Sequence, residues 1–372
     1  MKYYIIAGEA SGDLHGSNLV KALHRQDKNA SVRCWGGDKM QSAGATLVKH
    51  YRDLAFMGFV EVIKHLGTIM GNLSFCKQDI TAFRPDVIIL IDYPGFNLRI
   101  AEWAAAQGFP VVYYISPQVW AWKESRVKLI RKVVDKMLVI LPFEQEFYRK
   151  WQYDVVYTGH PLPEAIQQHL DEVPAPPAPI RPIVALLPGS RQQEVLSKLP
   201  VMLSVVHDFP QYQFVVAKAP SLPDELFARL IGATPVQIAT SGTYQLLRQA
   251  SAALVTSGTA TLETALFGVP QVVCYRGNPF SFWLARKLVK VKYISLVNLI
   301  MDAPVVTELI QDELNHERLR AELGKLLQDT PELRRMRGQY QQLRTLLGTG
   351  NASDTAASEI IHTVQQRTNK HV

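Results

Sequence analysis

Cysteine is scarce in this chain, and no motif typical of a zinc site is present. The 372 residues include only three cysteines, Cys34, Cys76 and Cys274, which lie far apart and form no C-x-x-C pair. The ten histidines form neither H-E-x-x-H nor H-x-x-x-H. We therefore expect no disulfide framework and no built-in metal site, and the cysteine usage fits a reducing cytoplasm.

Long apolar runs and a dinucleotide fingerprint are also missing. No run approaches the roughly 18 apolar residues that cross a bilayer, and the apolar start at Tyr3–Ala7 is too short for a signal-peptide core. Gly8, Gly12 and Gly16 are spaced four apart, which is not G-x-G-x-x-G. We therefore expect a cytoplasmic protein without an exported or membrane-spanning segment, and a dinucleotide site is disfavoured.

Acidic residues are in deficit, because 33 Asp and Glu face 40 Lys and Arg, which gives a net charge of +7. Five basic residues and no acid lie between Arg276 and Lys292. Such an excess favours an anionic partner, such as a nucleotide, a phosphorylated substrate, an anionic membrane surface or nucleic acid. Solvated helix faces are the alternative explanation for the basic cluster.

Short apolar runs separated by helical patterns are abundant, and 47% of the residues are hydrophobic. The runs predict strands at Lys2–Ala7, Val87–Ile91, Val111–Ile115, Met137–Leu141, Ile183–Leu187, Gln213–Ala217, Val236–Ala239, Ala252–Val255 and Gln271–Tyr275. A helix is predicted to begin at Ser17, and the chain is predicted to be helical from Glu308 on. Continuous apolar strands alternating with helices indicate an α/β fold with parallel sheets covered on both faces.

A proline-rich segment divides the chain. Five prolines fall within residues 173–182, which predicts a semi-rigid extended linker. The length suits two domains. We therefore predict two Rossmann-like domains that face each other, with an N-terminal domain at 1–172, a second domain at 183–344 and a helical tail at 345–372.

The most informative segment is Ser257-Gly258-Thr259-Ala260-Thr261-Leu262-Glu263, which follows an apolar strand. A small-residue turn before a helix exposes backbone N–H groups at the positive end of the helix dipole, where a phosphate or diphosphate binds. Gly258 lets the anion approach the backbone. Glu263 is placed to take a ribose hydroxyl, so the pair favours a nucleotide. An ordinary strand–helix connection is the alternative.

A second turn, Gly189-Ser190-Arg191, follows the strand Ile183–Leu187. Backbone donors next to an arginine fork are suited to holding a diphosphate. A surface arginine on a tight loop is the alternative.

Acidic residues follow two strands of the first half. Asp92 comes directly after Val87–Ile91, where a partly desolvated carboxylate is suited to act as a general base. Glu9, Ser11 and Asp13 lie in a predicted turn after the first strand, where their negative charge suits sugar hydroxyls better than phosphate. The alternatives are a turn-forming Asp92 and an Asp13 that caps a helix.

Two apolar features of the first half suggest contact surfaces. Trp120 and Trp122 are predicted on a loop, where they form either a binding wall or interdomain contact, or simply pack in the core. Residues 56–73 are apolar on one face, which fits an interfacial membrane helix or a buried core helix. The membrane-facing candidates are Met57, Phe59, Val60, Ile63, Leu66, Ile69 and Met70.

Taken together, these segments resemble the glycosyltransferases of the GT-B fold, and more closely the lipid-A-disaccharide synthase family. The similar blocks run in family order: G-E-A-S-G-D (8–13), M-G-F-V-E-V (57–62), I-D-Y-P-G-F-N (91–97), S-P-Q-V-W-A-W (116–122), L-P-F-E (141–144), L-P-G-S-R (187–191), S-G-T-A-T-L-E (257–263), P-F-S-F-W-L-A (279–285) and S-L-V-N-L (295–299). Sugar-nucleotide epimerases carry turns similar to S-G-T-A-T-L-E, whereas the first, fourth and sixth blocks are highly specific.

The resemblance implies an inverting transfer of 2,3-diacylglucosamine from UDP to the 6-hydroxyl of 2,3-diacylglucosamine 1-phosphate. Asp92 would be the base, and Arg191 with the amides of residues 257–261 would hold the diphosphate. Asn298 matches a family position linked to activity and is assigned to the donor side. Glu9, Ser11, Asp13 and the two tryptophans are assigned to the acceptor side.

Further expectations follow from the same resemblance. No metal or other cofactor is expected, and the partners are the two lipid substrates and the cytoplasmic surface of the inner membrane, with no nucleic acid. A homodimer and a last helix that returns to the first domain are also implied. The alternatives are a UDP-sugar 2-epimerase or hydrolase of the same fold, and a non-catalytic protein that binds sugar nucleotides or membrane surfaces.

Overall fold

The computed structural model describes residues 1–54, 66–240, 242–278, 282, 291–348 and 350–369. Its contacts divide the chain into two compact units, one formed by Met1–Ala165 with Gly348–Val372 and the other by Ile166–Leu347. The first boundary falls inside helix Pro161–Glu172, a few residues before the proline-rich segment.

The first unit is built on a seven-stranded parallel sheet with the order β3-β2-β1-β4-β5-β6-β7. Its central strands β1, β4 and β5 are almost wholly buried because helices cover both faces. The strands are β1 (Lys2–Ala7), β2 (Ser31–Gly36), β3 (Thr46–His50), β4 (Val87–Ile91), β5 (Val111–Tyr114), β6 (Lys136–Val139) and β7 (Val156–Tyr157).

The described helices of this unit include one from the far end of the chain. They are Ala10–Gln26, Asp38–Ser42, the 3₁₀ turn Tyr51–Leu54, Leu66–Phe83, Pro94–Ala106, Val119–Trp122, Arg126–Val133, Glu144–Arg149, the start of Pro161–Glu172, and Ala352–Asn369. Ala356 and Ile360 of the last helix are buried in the same core as Leu19 of the first. Lys136 and Glu359 add an ion pair at 3.0 Å. The C-terminal helix is therefore part of the first unit.

The second unit contains a six-stranded parallel sheet with the order β10-β9-β8-β11-β12-β13. Its strands are β8 (Ile183–Leu187), β9 (Gln213–Val216), β10 (Val236–Ile238), β11 (Ala250–Thr256), β12 (Gln271–Tyr275) and β13 (Thr307–Ile310). Its described helices are Gln192–Ser204, Val206–Asp208 (3₁₀), Asp224–Ile231, Thr243–Gln249, Thr259–Leu266, Leu296–Met301, Gln311–Glu313 (3₁₀), His316–Leu326 and Pro331–Leu347.

The two parallel α/β sheets confirm the predicted fold class, and two local predictions are wrong. The first helix begins at Ala10, so Ser11 and Asp13 lie in a helix and not in a turn. Residues 307–310 form strand β13, although the chain was predicted to be helical from Glu308. A four-residue edge strand is too short for its alternation to be recognised, and its pairing with β12 decides the conformation.

The proline-rich segment is fastened to the second unit. Carbonyl oxygens of Val173 and Pro174 accept hydrogen bonds from the Arg248 guanidinium, and that of Pro174 also accepts one from the Gln245 amide. The segment has no regular secondary structure, as its proline content predicts. Within the described ranges, no helix has the length and hydropathy that a membrane span requires.

Candidate functional site

The predicted site residues follow the strands at which each sheet reverses its order. In the first sheet, β1 pairs with β2 on one side and with β4 on the other. In the second sheet, β8 pairs with β9 on one side and with β11 on the other. Open parallel sheets bind ligands at such reversal points, outside the carboxyl ends of the strands. Glu9 follows β1, Asp92 follows β4, Gly189 to Arg191 follow β8, and Ser257 follows β11.

Asp92 is held in a strained backbone conformation. Its φ is 44° and that of Tyr93 is 48°, which is the left-handed region that residues other than glycine rarely adopt. The Asp92 carbonyl accepts hydrogen bonds from Tyr113 Oη at 2.6 Å and Asn97 Nδ2 at 2.8 Å. These contacts enforce the strain, and strain of this kind concentrates at active sites.

The carboxyl group of Asp92 has a perturbed acidity. Burial, and then the negative charge of Glu9, raise the pKa of Asp92 to about 6. Gly8 keeps the two loops close, because a Cβ there would lie 2.4 Å from the Tyr93 ring. Asp92 therefore has the pKa expected of a general base that works near neutral pH.

Asp13 has a different role from the predicted one. Its side chain is buried and accepts hydrogen bonds from the amides of Gly37 at 2.8 Å, Lys39 at 3.2 Å and Met40 at 3.0 Å. It therefore caps helix Asp38–Ser42, a neighbour and not its own helix. Glu9 is half-buried and Ser11 is exposed at the start of the first helix. The carboxylate oxygens of Asp13 are therefore already used by these backbone amides.

The tryptophan segment is partly core. Trp120 is buried and meets the Phe143 ring edge-on at a centroid distance of 5.0 Å, which favours the packing alternative. Trp122 ends helix Val119–Trp122, and its side chain lies outside the described part. The neighbouring Glu144, not assigned a role from the sequence, is buried and accepts hydrogen bonds from the amides of Ile140 and Leu141. Burial raises its pKa to about 7.

Hydrogen bonds from the hydroxyl groups of Ser257 and Thr261 hold the turn after β11 in place. Gly258 has a φ of 129°, and apart from its neighbours along the chain no described heavy atom lies within 4 Å of where its Cβ would be. Ser257 Oγ donates to the carbonyl of Ile294 at 2.9 Å, and Thr261 Oγ1 donates to that of Gly258 at 2.8 Å. The turn is thus fixed while the space over Gly258 stays open, in front of the first amides of helix Thr259–Leu266. Thr259 is exposed and Ala260 is half-buried at this helix start.

Glu263 lies one turn into the same helix. Its Oε1 accepts a hydrogen bond from Tyr244 Oη at 3.0 Å, and burial raises its pKa. Among the residues that the structure describes, no donor contacts the second carboxylate oxygen of Glu263, which is an acceptor as well.

The turn after β8 brings an unpredicted carboxylate to the predicted arginine. Gly189 has a φ of 118°, and the Ser190 amide donates to Glu194 Oε2 at 3.2 Å. Arg191 Nη1 lies 3.7 Å from Glu194 Oε1, and the Arg191 side chain is 58% exposed. Glu194 thus occupies an anion position at the start of helix Gln192–Ser204. A glutamate three residues after the residue that caps a helix is a recognisable signal for this arrangement.

Asn298 is buried in the second unit and forms hydrogen bonds to two neighbouring segments. Its Oδ1 accepts from the Val306 amide, and its Nδ2 donates to the Val306 carbonyl and to Glu308 Oε1, each at 2.9 Å. The Glu308 carboxylate also accepts hydrogen bonds from the amides of Ile294 and Ser295, and the Ile294 carbonyl accepts one from Ser257 Oγ. Asn298 is therefore linked to the Ser257–Gly258 turn through Glu308, and its assignment to the donor side stays a prediction.

Only part of the predicted membrane surface can be placed. In helix Leu66–Phe83, Met70 is 59% exposed and Phe75 is 46% exposed, while Ile69 packs against the core. Met57, Phe59, Val60 and Ile63 lie outside the described residues, and so does the side chain of Leu66. The same holds for most of the basic cluster before Lys292.

Solved structures with a similar architecture include an epimerase and a glycosyltransferase. A UDP-GlcNAc 2-epimerase from Neisseria meningitidis bound to UDP-GlcNAc matches with a TM-score of 0.68 at 12% identity, covering 97% of this chain and 100% of that one. A kitacinnamycin glycosyltransferase matches with a TM-score of 0.68 at 15% identity, covering 98% and 99%. At these identities the likeness establishes the fold, which is the GT-B class of two parallel α/β units.

Sequence relatives then define the family. A family model described as lipid-A-disaccharide synthetase matches residues 3–362. The lipid-A-disaccharide synthase of Geobacter metallireducens is 40% identical over 367 residues, covering 96% of both chains. That of Coxiella burnetii strain CbuG_Q212 is 35% identical over 373 residues, covering 96% of this chain and 97% of the relative. The chain belongs to the lipid-A-disaccharide synthase family, and it is a glycosyltransferase.

Proposed function

We propose that this enzyme transfers 2,3-diacylglucosamine from UDP to the 6-hydroxyl of 2,3-diacylglucosamine 1-phosphate, with inversion at the donor carbon. Family membership and the two reversal-point sites support this reaction. The observation that carries the proposal is the environment of Asp92 at the carboxyl end of β4. Its backbone is strained, and the pKa of its carboxyl group is raised to about 6.

The chemistry assigns a role to each site. The Asp92 carboxylate takes the proton from the acceptor hydroxyl as its oxygen attacks the anomeric carbon. The bond from that carbon to the UDP oxygen breaks, and inversion requires that the base and the leaving group lie on opposite faces of the sugar. The charge that develops on the diphosphate is stabilised by the amides of the Gly258 turn, which the helix fixes in advance, and by the positive charge of Arg191.

Nucleotide recognition falls to the second unit in this proposal. Glu263 accepts a ribose hydroxyl with the oxygen that Tyr244 leaves unused. A phosphate oxygen replaces the Glu194 carboxylate as the acceptor of the Ser190 amide hydrogen bond, because the carboxylate and the phosphate are both anionic acceptors. Glu9 and Ser11 stand on the acceptor side, beside Asp92.

The decisive test is whether UDP release depends on the acceptor. We expect purified enzyme with UDP-2,3-diacylglucosamine to release UDP only when 2,3-diacylglucosamine 1-phosphate is present, with one disaccharide 1-phosphate formed per UDP. Coupled UDP detection and mass spectrometry of the lipid product measure this. UDP release at the same rate without acceptor contradicts the transferase and favours a hydrolase or epimerase of the same fold. Tight UDP binding with no turnover under either condition indicates the non-catalytic alternative.

We further propose that the enzyme works at the cytoplasmic surface of the inner membrane, because both proposed substrates carry acyl chains. The apolar residues 57–70 and the exposed Met70 support this assignment. The triple variant Met57→Ser, Phe59→Ser, Ile63→Ser is expected to lose most of its co-sedimentation with anionic phospholipid vesicles, because buried apolar area drives interfacial binding.

The matched control is Ile180→Ser, which removes an apolar side chain that is fully exposed in the proline-rich segment. This control should sediment with vesicles like the wild type. Equal sedimentation of the triple variant and the control contradicts the membrane assignment of residues 57–70.

A further inference from the structure

A buried lysine contacts the last residue of the strand that leads into the predicted diphosphate turn. Lys198, in helix Gln192–Ser204, is only 3% exposed, and its Nζ donates a hydrogen bond to Thr256 Oγ1. Thr256 is the last residue of β11 and directly precedes Ser257-Gly258. Neither residue belongs to a motif with a predicted role.

The surroundings of Lys198 do not balance its charge. Its ammonium lies 5.7 Å from the centre of the Tyr275 ring, and Arg191, Glu194 and Cys274 are the other titratable groups that act on it. Glu194 is the only carboxylate among them; its charge favours the ammonium, but its oxygens contact the Ser190 amide and Arg191 rather than Lys198. In the described ranges, Lys198 forms no ion pair.

A buried ammonium without a paired anion is costly. Removing such a group from water disfavours its charged form, and burial accordingly lowers the pKa of Lys198. An uncharged side chain of similar length would fill the same space without that cost. Uncompensated charges of this kind are typical of sites that receive a counter-charge from a ligand.

Thr256 provides the route from this charge to the turn. Because Lys198 donates to it, the Thr256 oxygen acts as an acceptor and its own hydrogen is left to donate. Within the described residues, that hydroxyl has no acceptor of its own. A charge-assisted donor of this type is stronger than a neutral one and prefers an anionic oxygen.

We propose that Lys198 is a positioning residue that stabilises the bound diphosphate through the hydroxyl of Thr256. This inference rests on the proposed function, since it places the diphosphate of the departing nucleotide over the Gly258 turn. The lysine supplies positive charge from below, whereas the helix amides and Arg191 supply donors at the surface. Charge held in a buried site acts more strongly on a nearby anion than charge in water.

The test compares UDP with uridine, since only UDP carries the diphosphate. For Lys198→Met, we expect the Kd of UDP to rise about 10- to 100-fold, the usual loss for a hydrogen bond to a charged group. The Kd of uridine, measured by competition against UDP, should change less than about twofold. Isothermal titration calorimetry on the full chain measures both, and Lys325→Met, an exposed lysine of the same unit, is the control.

Two further measurements apply if Lys198→Met does not fold. Thr256→Val should weaken UDP binding, and Thr256→Ser should restore it, because serine keeps the hydroxyl. In the wild type, UDP affinity should fall as alkaline pH deprotonates Lys198, and this fall should be smaller in Thr256→Val.

The results separate this inference from the proposed function. Equal losses for UDP and uridine, or equal UDP affinity in Thr256→Val and the wild type, overturn the role of Lys198. Absence of UDP binding to the wild type overturns the proposed function instead.

Discussion

Replacing Asp92 with asparagine is expected to lower kcat by about 10²- to 10⁴-fold, the contribution that general-base catalysis usually makes. Asparagine has nearly the same shape but cannot accept the proton of the acceptor hydroxyl. The backbone contacts of position 92 involve its carbonyl, so the strained turn should be kept. The Kd of UDP should therefore stay within about twofold of the wild-type value.

The matched control for this variant lies at the other end of the same strand. Asp86 precedes β4 and accepts a hydrogen bond from the Lys2 amide at 2.7 Å. Asp86→Asn should retain most of the wild-type turnover. If Asp92→Asn turns over as fast as Asp86→Asn, then Asp92 is not the base.

The pH profile gives the same prediction a second readout. Because burial and Glu9 raise the pKa of Asp92 to about 6, the carboxyl is protonated and inactive below that pH. The wild-type kcat/KM should therefore rise with pH through about 6 and then level off. Glu9→Gln removes the neighbouring negative charge, so the rise should move to lower pH. An unmoved rise would mean that another group controls it.

Replacing Arg191 with methionine is expected to lower kcat/KM by about 10²- to 10³-fold, as does the loss of one preorganised donor at a developing oxyanion. Methionine keeps the apolar stem and removes the charged fork. Most of the loss should appear in kcat, because the leaving diphosphate gains negative charge in the transition state. Steady-state kinetics with both substrates separates kcat from KM.

Two variants accompany this measurement. Arg191→Lys keeps the charge without the planar fork and should recover only part of the loss. Arg229→Met removes an exposed arginine from helix Asp224–Ile231 of the same unit and should be nearly neutral. Similar activity in Arg191→Met and Arg229→Met is the outcome that contradicts a catalytic role for Arg191.

The predictions that depend on local sequence were confirmed, whereas two that depend on contacts between distant segments were wrong. Strands Lys2–Ala7, Val87–Ile91 and Ile183–Leu187 lie where their apolar runs predicted them, because a buried parallel strand needs nothing but apolar side chains. Strand β13 and the start of the first helix were predicted wrongly, since their conformations depend on pairing and packing with distant segments.

The side chains of the candidate site show the same division. Glu263 and Arg191 were predicted as site residues from local turn chemistry alone, and the structure places each in or one turn after such a turn. The partners of Asp13, Asn298 and Lys198 come from segments between 8 and 58 residues away along the chain, so no local pattern could reveal them. Roles that depend on such partners emerge only when the side chains are placed in space.

The α/β class, the family and the turns that carry Asp92, Arg191 and Gly258 can all be read from the amino-acid sequence, because backbone donors and apolar periodicity are encoded locally. Only the tertiary structure decided the strand order that brings Glu9 beside Asp92, the capping role of Asp13 and the burial of Lys198 under Thr256. Those features arise from contacts between residues distant in sequence, and burial, which shifts the pKa of Asp92 and of Lys198, exists only in the folded chain.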